Sequence, residues 1–200
     1  MIVVVILAAG KSTRFGGEIP KQLYPIEGKP VIQWSIDLFE KFVDHIVIVT
    51  NSNCKIETNH TLLINDIDDR LISIKTALDS IQGQFDKIII HDAARPFITD
   101  DYIKRLIESK SVHSQYYLPL TNGLAKKSDG GWEIVDRKDF IELCSPQCTD
   151  FDLFKTIFET YIQSGIECEV LPCLKVFNFE ADLIEGNSKY LRKINTILDI

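Results

Sequence analysis

The chain contains no stretch near the roughly 20 consecutive apolar residues that span a bilayer. Its N-terminal run, Met1 to Ala9, is apolar but short, and it lacks the basic segment that opens a secretory signal. Nor is there an excess of positive charge. Twenty-two basic residues stand against 29 acidic ones, a net charge of −7, so the overall field repels polyanions. This excludes a general binder of nucleic acid or of anionic membranes and requires any anionic ligand to be held by a local cationic site. The five cysteines (Cys54, Cys144, Cys148, Cys168, Cys173) are odd in number. No histidine lies near the Cys144/Cys148 pair, since His45, His60, His91 and His113 are all upstream, which argues against zinc and for free thiols in a reducing cytoplasm. Internal repeats, low-complexity tracts and linkers are absent, as is any Ser-His-Asp or Cys-His arrangement suited to nucleophilic catalysis.

What remains is ordinary globular composition, 45% apolar with a mean hydropathy of +0.02, in a length of 200 residues that suits one core. β-Branched runs at Ile2–Leu7, His45–Thr50 and Lys87–His91 predict strands buried on both faces. Between them, amphipathic segments predict helices over Val31–Phe42, Arg70–Ile81 and Asp100–Glu108, the last after the capping types Thr99 and Asp100. Further strands are expected at Thr61–Ile64, Gln115–Leu120, Trp132–Val135, Val176–Phe179 and Asp182–Ile184, and a helix at Asp150–Gln163. The alternation predicts an α/β fold with a Rossmann-like, mostly parallel sheet flanked by helices. Residues 1–200 are read as a single α/β domain, with a small β-arm at about 122–137 whose polar, Gly-containing composition cannot form a core by itself.

The segment after the first strand, Leu7-Ala-Ala-Gly-Lys-Ser-Thr-Arg-Phe-Gly-Gly-Glu-Ile-Pro-Lys-Gln22, carries the chemistry. In parallel sheets ligands sit beyond the carboxyl ends of the strands. Here Lys11, Arg14 and Lys21 face only Glu18, and Gly10, Gly16 and Gly17 let backbone N–H groups approach an anion. Small residues, backbone donors and fixed cations are what a polyphosphate requires. Gly10-Lys11-Ser12 is not a Walker A loop, because the glycine needed five positions earlier is Val5, and Ser12 stands where a Rossmann fingerprint has its second glycine.

Ala8-Ala9-Gly10, Arg14, Pro20-Lys21-Gln22 and His91-Asp92-Ala93-Ala94-Arg95-Pro96 together resemble the cytidylyltransferases that activate sugar-alcohol phosphates. The resemblance continues in order through Arg70-x-x-Ser73, Val135-Asp136-Arg137, Ser145-Pro146-Gln147, Glu185-Gly186-Asn187 and Lys193-Ile194-Asn195. It implies transfer of CMP from CTP to a polyol phosphate with release of pyrophosphate, a reaction between two anions that needs positioning and charge stabilisation rather than a nucleophilic side chain. By the same resemblance Arg14, Lys21 and Lys193 would be catalytic. Ala8, Ala9, Gly10, Ser12, Ser73 and Asp92 would bind the nucleotide, and Asp92, Arg95 and Arg137 the acceptor. Asp92 would also help to locate Mg²⁺, held mostly by phosphates. Arg137 would reach into the neighbouring subunit of a homodimer.

The chain departs from the family pattern mainly on the acceptor side. Asn122-Gly123-Leu124 replaces an Asp-Thr pair, Cys144 and Cys148 flank the glutamine motif, Glu167-Cys168 replaces a Thr-Asp pair, and Ser12 replaces a glycine. The sequence stops at Ile200, where relatives continue into a helix. The expected acceptor is 2-C-methyl-D-erythritol 4-phosphate, for isoprenoid precursor synthesis, because the His-Asp-Ala-Ala-Arg-Pro motif is closest to that group. Ribitol 5-phosphate or another polyol phosphate of surface-polysaccharide synthesis, and a non-catalytic nucleotide-binding relative, are the alternatives.

Overall fold

A computed structural model describes residues 1–17, 19–161 and 179–200, including the side chains of all of these but 160 and 161. The strands are β1 (Ile2–Leu7), β2 (Pro25–Ile26), β3 (Lys29–Pro30), β4 (His45–Thr50), β5 (Thr61–Ile64), β6 (Lys87–Asp92), β7 (His113–Pro119), β8 (Leu124–Ser128), β9 (Gly131–Val135), β10 (Ile141–Asp150) and β11 (Ala181–Glu185). The helices are α1 (Val31–Phe39), α2 (Arg70–Ser80), α3 (Asp100–Glu108), α4 (Phe151–Tyr161) and the single turn α5 (Ser188–Leu191). Residues 162, 163 and 176–178 of the expected elements, together with Glu167, Cys168 and Cys173, lie outside the described residues.

Seven strands form one sheet in the order β11-β7-β10-β6-β1-β4-β5, all mutually parallel except β10, which runs antiparallel to both β6 and β7. The apolar run of β1 explains its central place. Val4 and Ile6 join one buried cluster with Ile32, Ile36 and Phe39 of α1, while Val3 and Val5 join another with Ile74 of α2 and Phe154 of α4. Alternate side chains point to opposite faces of a strand, so helices are needed on both sides.

Several boundaries differ from the sequence pattern for local reasons. Helix α1 ends at Phe39 rather than Phe42, because the chain tightens there: the Phe42 N–H donates to the Phe39 carbonyl at 2.9 Å. Thr99 occupies the start of α3 but makes no side-chain cap; Asp100 and Asp101 in the first turn complement the helix dipole instead. Strand β7 begins two residues early, at polar His113 and Ser114. Both are satisfied in place: His113 Nδ1 lies 2.8 Å from Thr149 Oγ1, and the Ser114 hydroxyl donates to the Leu106 carbonyl at 3.0 Å. The segment before α1 contains the small hairpin β2–β3, whose turn places Glu27 and Gly28 at positive φ (52° and 79°). Strands β8 and β9 form the expected arm, a separate antiparallel pair. Cys54, Cys144 and Cys148 are buried free thiols.

Candidate active site

Leu7, the last residue of β1, pairs with Asp92, the last residue of β6. Two neighbouring carboxyl ends therefore open side by side, the place where α/β sheets hold ligands. A cleft enclosing about 630 Å³, open solvent included, begins there and is lined by Ala9, Gly10, Lys21, Arg70, Ser73, Asp92 and Lys193, among others.

The floor of the cleft is a buried carboxylate surrounded by cations. Asp92 Oδ1 accepts from the Arg70 guanidinium, Oδ2 accepts from Lys193 Nζ at 2.7 Å, and Arg95 Nε stands 4.0 Å away. Burial opposes ionisation of Asp92, yet the Arg70 and Lys193 charges outweigh it and hold the carboxyl well below the usual carboxylate range. The backbone fixes this carboxylate as well, since the Asp92 N–H donates to Ser145 Oγ at 3.0 Å. Arg70 is delivered by the start of α2, where Asp69 caps the helix by accepting from the Leu71 and Ile72 N–H groups at 2.7 and 3.0 Å. Ser73, one turn further, donates to the Asp69 carbonyl at 3.0 Å and accepts from Asn65 Nδ2 at 2.9 Å. His91, beside Asp92, is kept neutral: burial pushes its pKa down to about 3, with Nε2 lying 3.0 Å from Ser35 Oγ.

Lys21 approaches from the loop after β1. Its ammonium donates to the Ile194 carbonyl at 3.1 Å, and its pKa is lowered by burial and by the nearby charges of Lys193 and Arg14, against the attraction of Asp92. Lys193 arrives from the segment after α5. That segment is tied down by Arg95, which donates to the Leu191 carbonyl, and by the Ile194 N–H, which donates to the Ala94 carbonyl at 2.8 Å.

The cleft thus gathers Lys21, Lys193, Asp92, Ser73, Ala9 and Gly10 from distant parts of the chain. Ala8 is buried behind the lining, Ser12 sits in the loop at positive φ (56°), and Arg14 is exposed near Lys21. Arg95 is only 6% exposed and supports the C-terminal segment from beneath. Arg137 lies in a 3-10 turn after β9, exposed, donating to the Thr121 carbonyl, and does not line the cleft of its own chain. Two residues escaped sequence reasoning as individuals. Arg70 is a direct partner of Asp92, and Gln22 bonds the backbone at both sides of Ala9. Each stands inside a quoted motif, next to Ser73 and Lys21 respectively, which is the signal that could have flagged it.

The family model for 2-C-methyl-D-erythritol 4-phosphate cytidylyltransferase matches residues 2–200. The chain belongs to this family. Membership places it among the CTP-dependent cytidylyltransferases of sugar-alcohol phosphates. Similar proteins bearing the family's name include one from Phocaeicola vulgatus, 28% identical over 98% of this chain and 95% of its own length. Another, from Caldicellulosiruptor saccharolyticus, is 32% identical over 92% of this chain and 88% of its own. Among solved structures, the cytidylyltransferase from Thermus thermophilus superposes with a TM-score of 0.77 at 20% identity, covering 98% of this chain and 93% of that one. The 4-diphosphocytidyl-2C-methyl-D-erythritol synthase from Anaerococcus prevotii gives 0.79 at 19% identity, covering 100% and 94%. At such identities the superpositions establish the fold, which agrees with the mixed sheet and arm described above. No helix among the described residues is long and apolar enough to cross a membrane.

Proposed function

We propose that this chain transfers CMP from CTP to 2-C-methyl-D-erythritol 4-phosphate. The observation that carries this reading is the convergence of Lys21, Arg70 and Lys193 on one cleft in a chain of net charge −7. A phosphate oxygen of the acceptor attacks the α-phosphorus of CTP, the bond from that phosphorus to the bridging oxygen breaks, and pyrophosphate leaves with the electron pair. Lys21, Arg14 and Lys193 stabilise the negative charge that two reacting anions bring together. Arg70, held at the same carboxylate as Lys193, adds a fourth cation to that set. Ala8, Ala9, Gly10, Ser12 and Ser73 shape the nucleotide side, where small residues admit a pyrimidine. Asp92, Arg95 and Arg137 belong to the acceptor side.

Among the described residues no group of three or more His, Cys, Asp or Glu side chains could cage a metal. Mg²⁺ needs few protein carboxylates when it arrives on phosphate oxygens. Asp92 would hold the ion, which when bound neutralises phosphate charge. The arm supports a homodimer: Trp132 is 72% exposed and Ile134 84%, on a two-stranded hairpin too small to be stable by itself. In such a dimer Arg137 reaches the partner's cleft. Mixing Arg137→Ala with Lys21→Ala protein then restores activity; no rescue after confirmed subunit exchange contradicts the shared site.

The deciding assay is pyrophosphate release from CTP and Mg²⁺ with a panel of polyol phosphates. Turnover with 2-C-methyl-D-erythritol 4-phosphate is expected. Turnover with ribitol 5-phosphate alone replaces the acceptor, and CTP binding without turnover on any acceptor removes the catalytic reading.

A further inference from the structure

The three consecutive carbonyls at the start of the nucleotide loop are all taken by side-chain amides. Gln22, only 2% exposed, donates from Nε2 to the Ala8 carbonyl at 2.7 Å and to the Gly10 carbonyl at 2.9 Å. Asn51, also buried, donates from Nδ2 to the intervening Ala9 carbonyl at 2.8 Å. In a planar trans peptide the C=O and the following N–H point in opposite directions. Engaging the carbonyls of Ala8 and Gly10 therefore turns the N–H groups of Ala9 and Lys11 away from Gln22, and engaging that of Ala9 turns the Gly10 N–H away from Asn51. None of these three donors has a partner among the described residues, although Ala9 and Gly10 line the cleft.

Gln22 does more than hold carbonyls. Its Oε1 accepts from the Ser12 hydroxyl at 3.0 Å, and Ser12 Oγ in turn accepts from the Lys21 N–H at 3.4 Å. The exit of β1, the bend at Ser12 and the backbone of Lys21 are thereby linked through one buried side chain. Both Nε2 protons of Gln22 are spent on carbonyls, so its amide orientation is fixed: reversing it would set oxygen against oxygen at Ala8 and Gly10.

We propose that Gln22 and Asn51 are positioning residues, a two-amide clamp that presents the Ala9, Gly10 and Lys11 N–H groups to the nucleotide, and that Gln22 also sets the place of Lys21. The proposal rests on the functional reading above and adds to it how the loop is polarised. Neither side chain touches the reacting atoms.

The test uses isosteric changes that replace a donor by an acceptor, Gln22→Glu and Asn51→Asp, in the full chain. Thermal melts establish folding, calorimetry gives CTP affinity, and pyrophosphate release gives kcat and KM. Asn51→Asp is expected to raise the CTP dissociation constant about tenfold with kcat within about threefold, because it disturbs presentation alone. Gln22→Glu is expected to raise it similarly and also to lower kcat at least tenfold, because Lys21 shifts. Relative to wild type, Gln22→Glu recovers as pH falls toward 5, since a protonated carboxyl can again donate to one carbonyl; a merely structural defect does not recover. If Gln22→Glu fails to fold, Gln22→Met, similar in length and uncharged, removes the same donors and is expected to show the same kcat loss. Folded variants with wild-type kcat, KM and CTP affinity overturn the clamp while leaving the function standing. Wild-type protein that neither binds CTP nor releases pyrophosphate overturns the functional reading, and the clamp with it.

Discussion

Lys21 is placed where opposite demands meet. Its ammonium is wanted as a charge, yet burial and the neighbouring Lys193 and Arg14 favour losing it. A cation so held is poorly balanced until negative charge arrives, which suits a group that acts on a developing phosphate charge. Lys21→Ala should accordingly lower kcat by about 100-fold or more while changing CTP affinity by less than about threefold, as steady-state kinetics and calorimetry will show. A fall in affinity with kcat unchanged would assign Lys21 to ground-state binding. Lys21 and Asp92 were legible in the sequence because charged residues stand out against a glycine-rich loop and at the end of an apolar strand, and Lys193 through the family resemblance of Lys193-Ile194-Asn195. Gln22 and Arg70 were not, since an amide or a guanidinium acquires its role from what folding places opposite it. Arg95 shows the reverse: its motif was legible, but its contact, the Leu191 carbonyl, comes from 96 residues away.

At the scale of elements, Lys193 depends on how α5 seats. A Cβ added at Gly186 would lie 2.2 Å from Leu191 Cδ1 and 3.3 Å from Tyr116 Cδ1, both in the fully packed core. Gly186→Ala must therefore displace the buried Leu191 side chain, and it presses on the residue whose carbonyl Arg95 holds and which precedes the segment carrying Lys193. The expected cost is about 1–3 kcal/mol of stability, read from denaturant midpoints, together with reduced kcat. A variant as stable and as active as wild type would uncouple α5 from the site. The β-branched strands were legible from their runs, but β10 was not. It contains Pro146, which ordinarily argues against a central strand, and Ser, Thr, Gln and Cys in place of a hydrophobic run. The structure accommodates the proline where the β10–β7 register shifts, between Cys144 and Gln147.

For the whole molecule, two buried neutral histidines govern the response to acid. Burial pushes His91 down to about 3 and His113 to about 4, whereas both titrate near 6.5 when unfolded. The unfolded chain thus binds protons that the folded one refuses, and stability falls as pH drops below about 6.5, by about 1.4 kcal/mol per pH unit for each histidine. Asp92, depressed in the fold, contributes stability that is lost only as pH falls below the ordinary carboxylate range near 4. Urea midpoints should therefore decline already between pH 6.5 and 5; a flat profile there would show that both histidines charge within the fold. The same organisation bears on the net charge of −7. Arg70 and Lys193 are not exposed to dissolved ions as bare charges, because Asp92 already occupies them. A nucleotide that takes them over displaces a tethered carboxylate rather than chloride, and so gains little from dilution of the buffer. CTP affinity should change less than about tenfold between roughly 50 and 200 mM KCl, as calorimetry at the two salt concentrations will show.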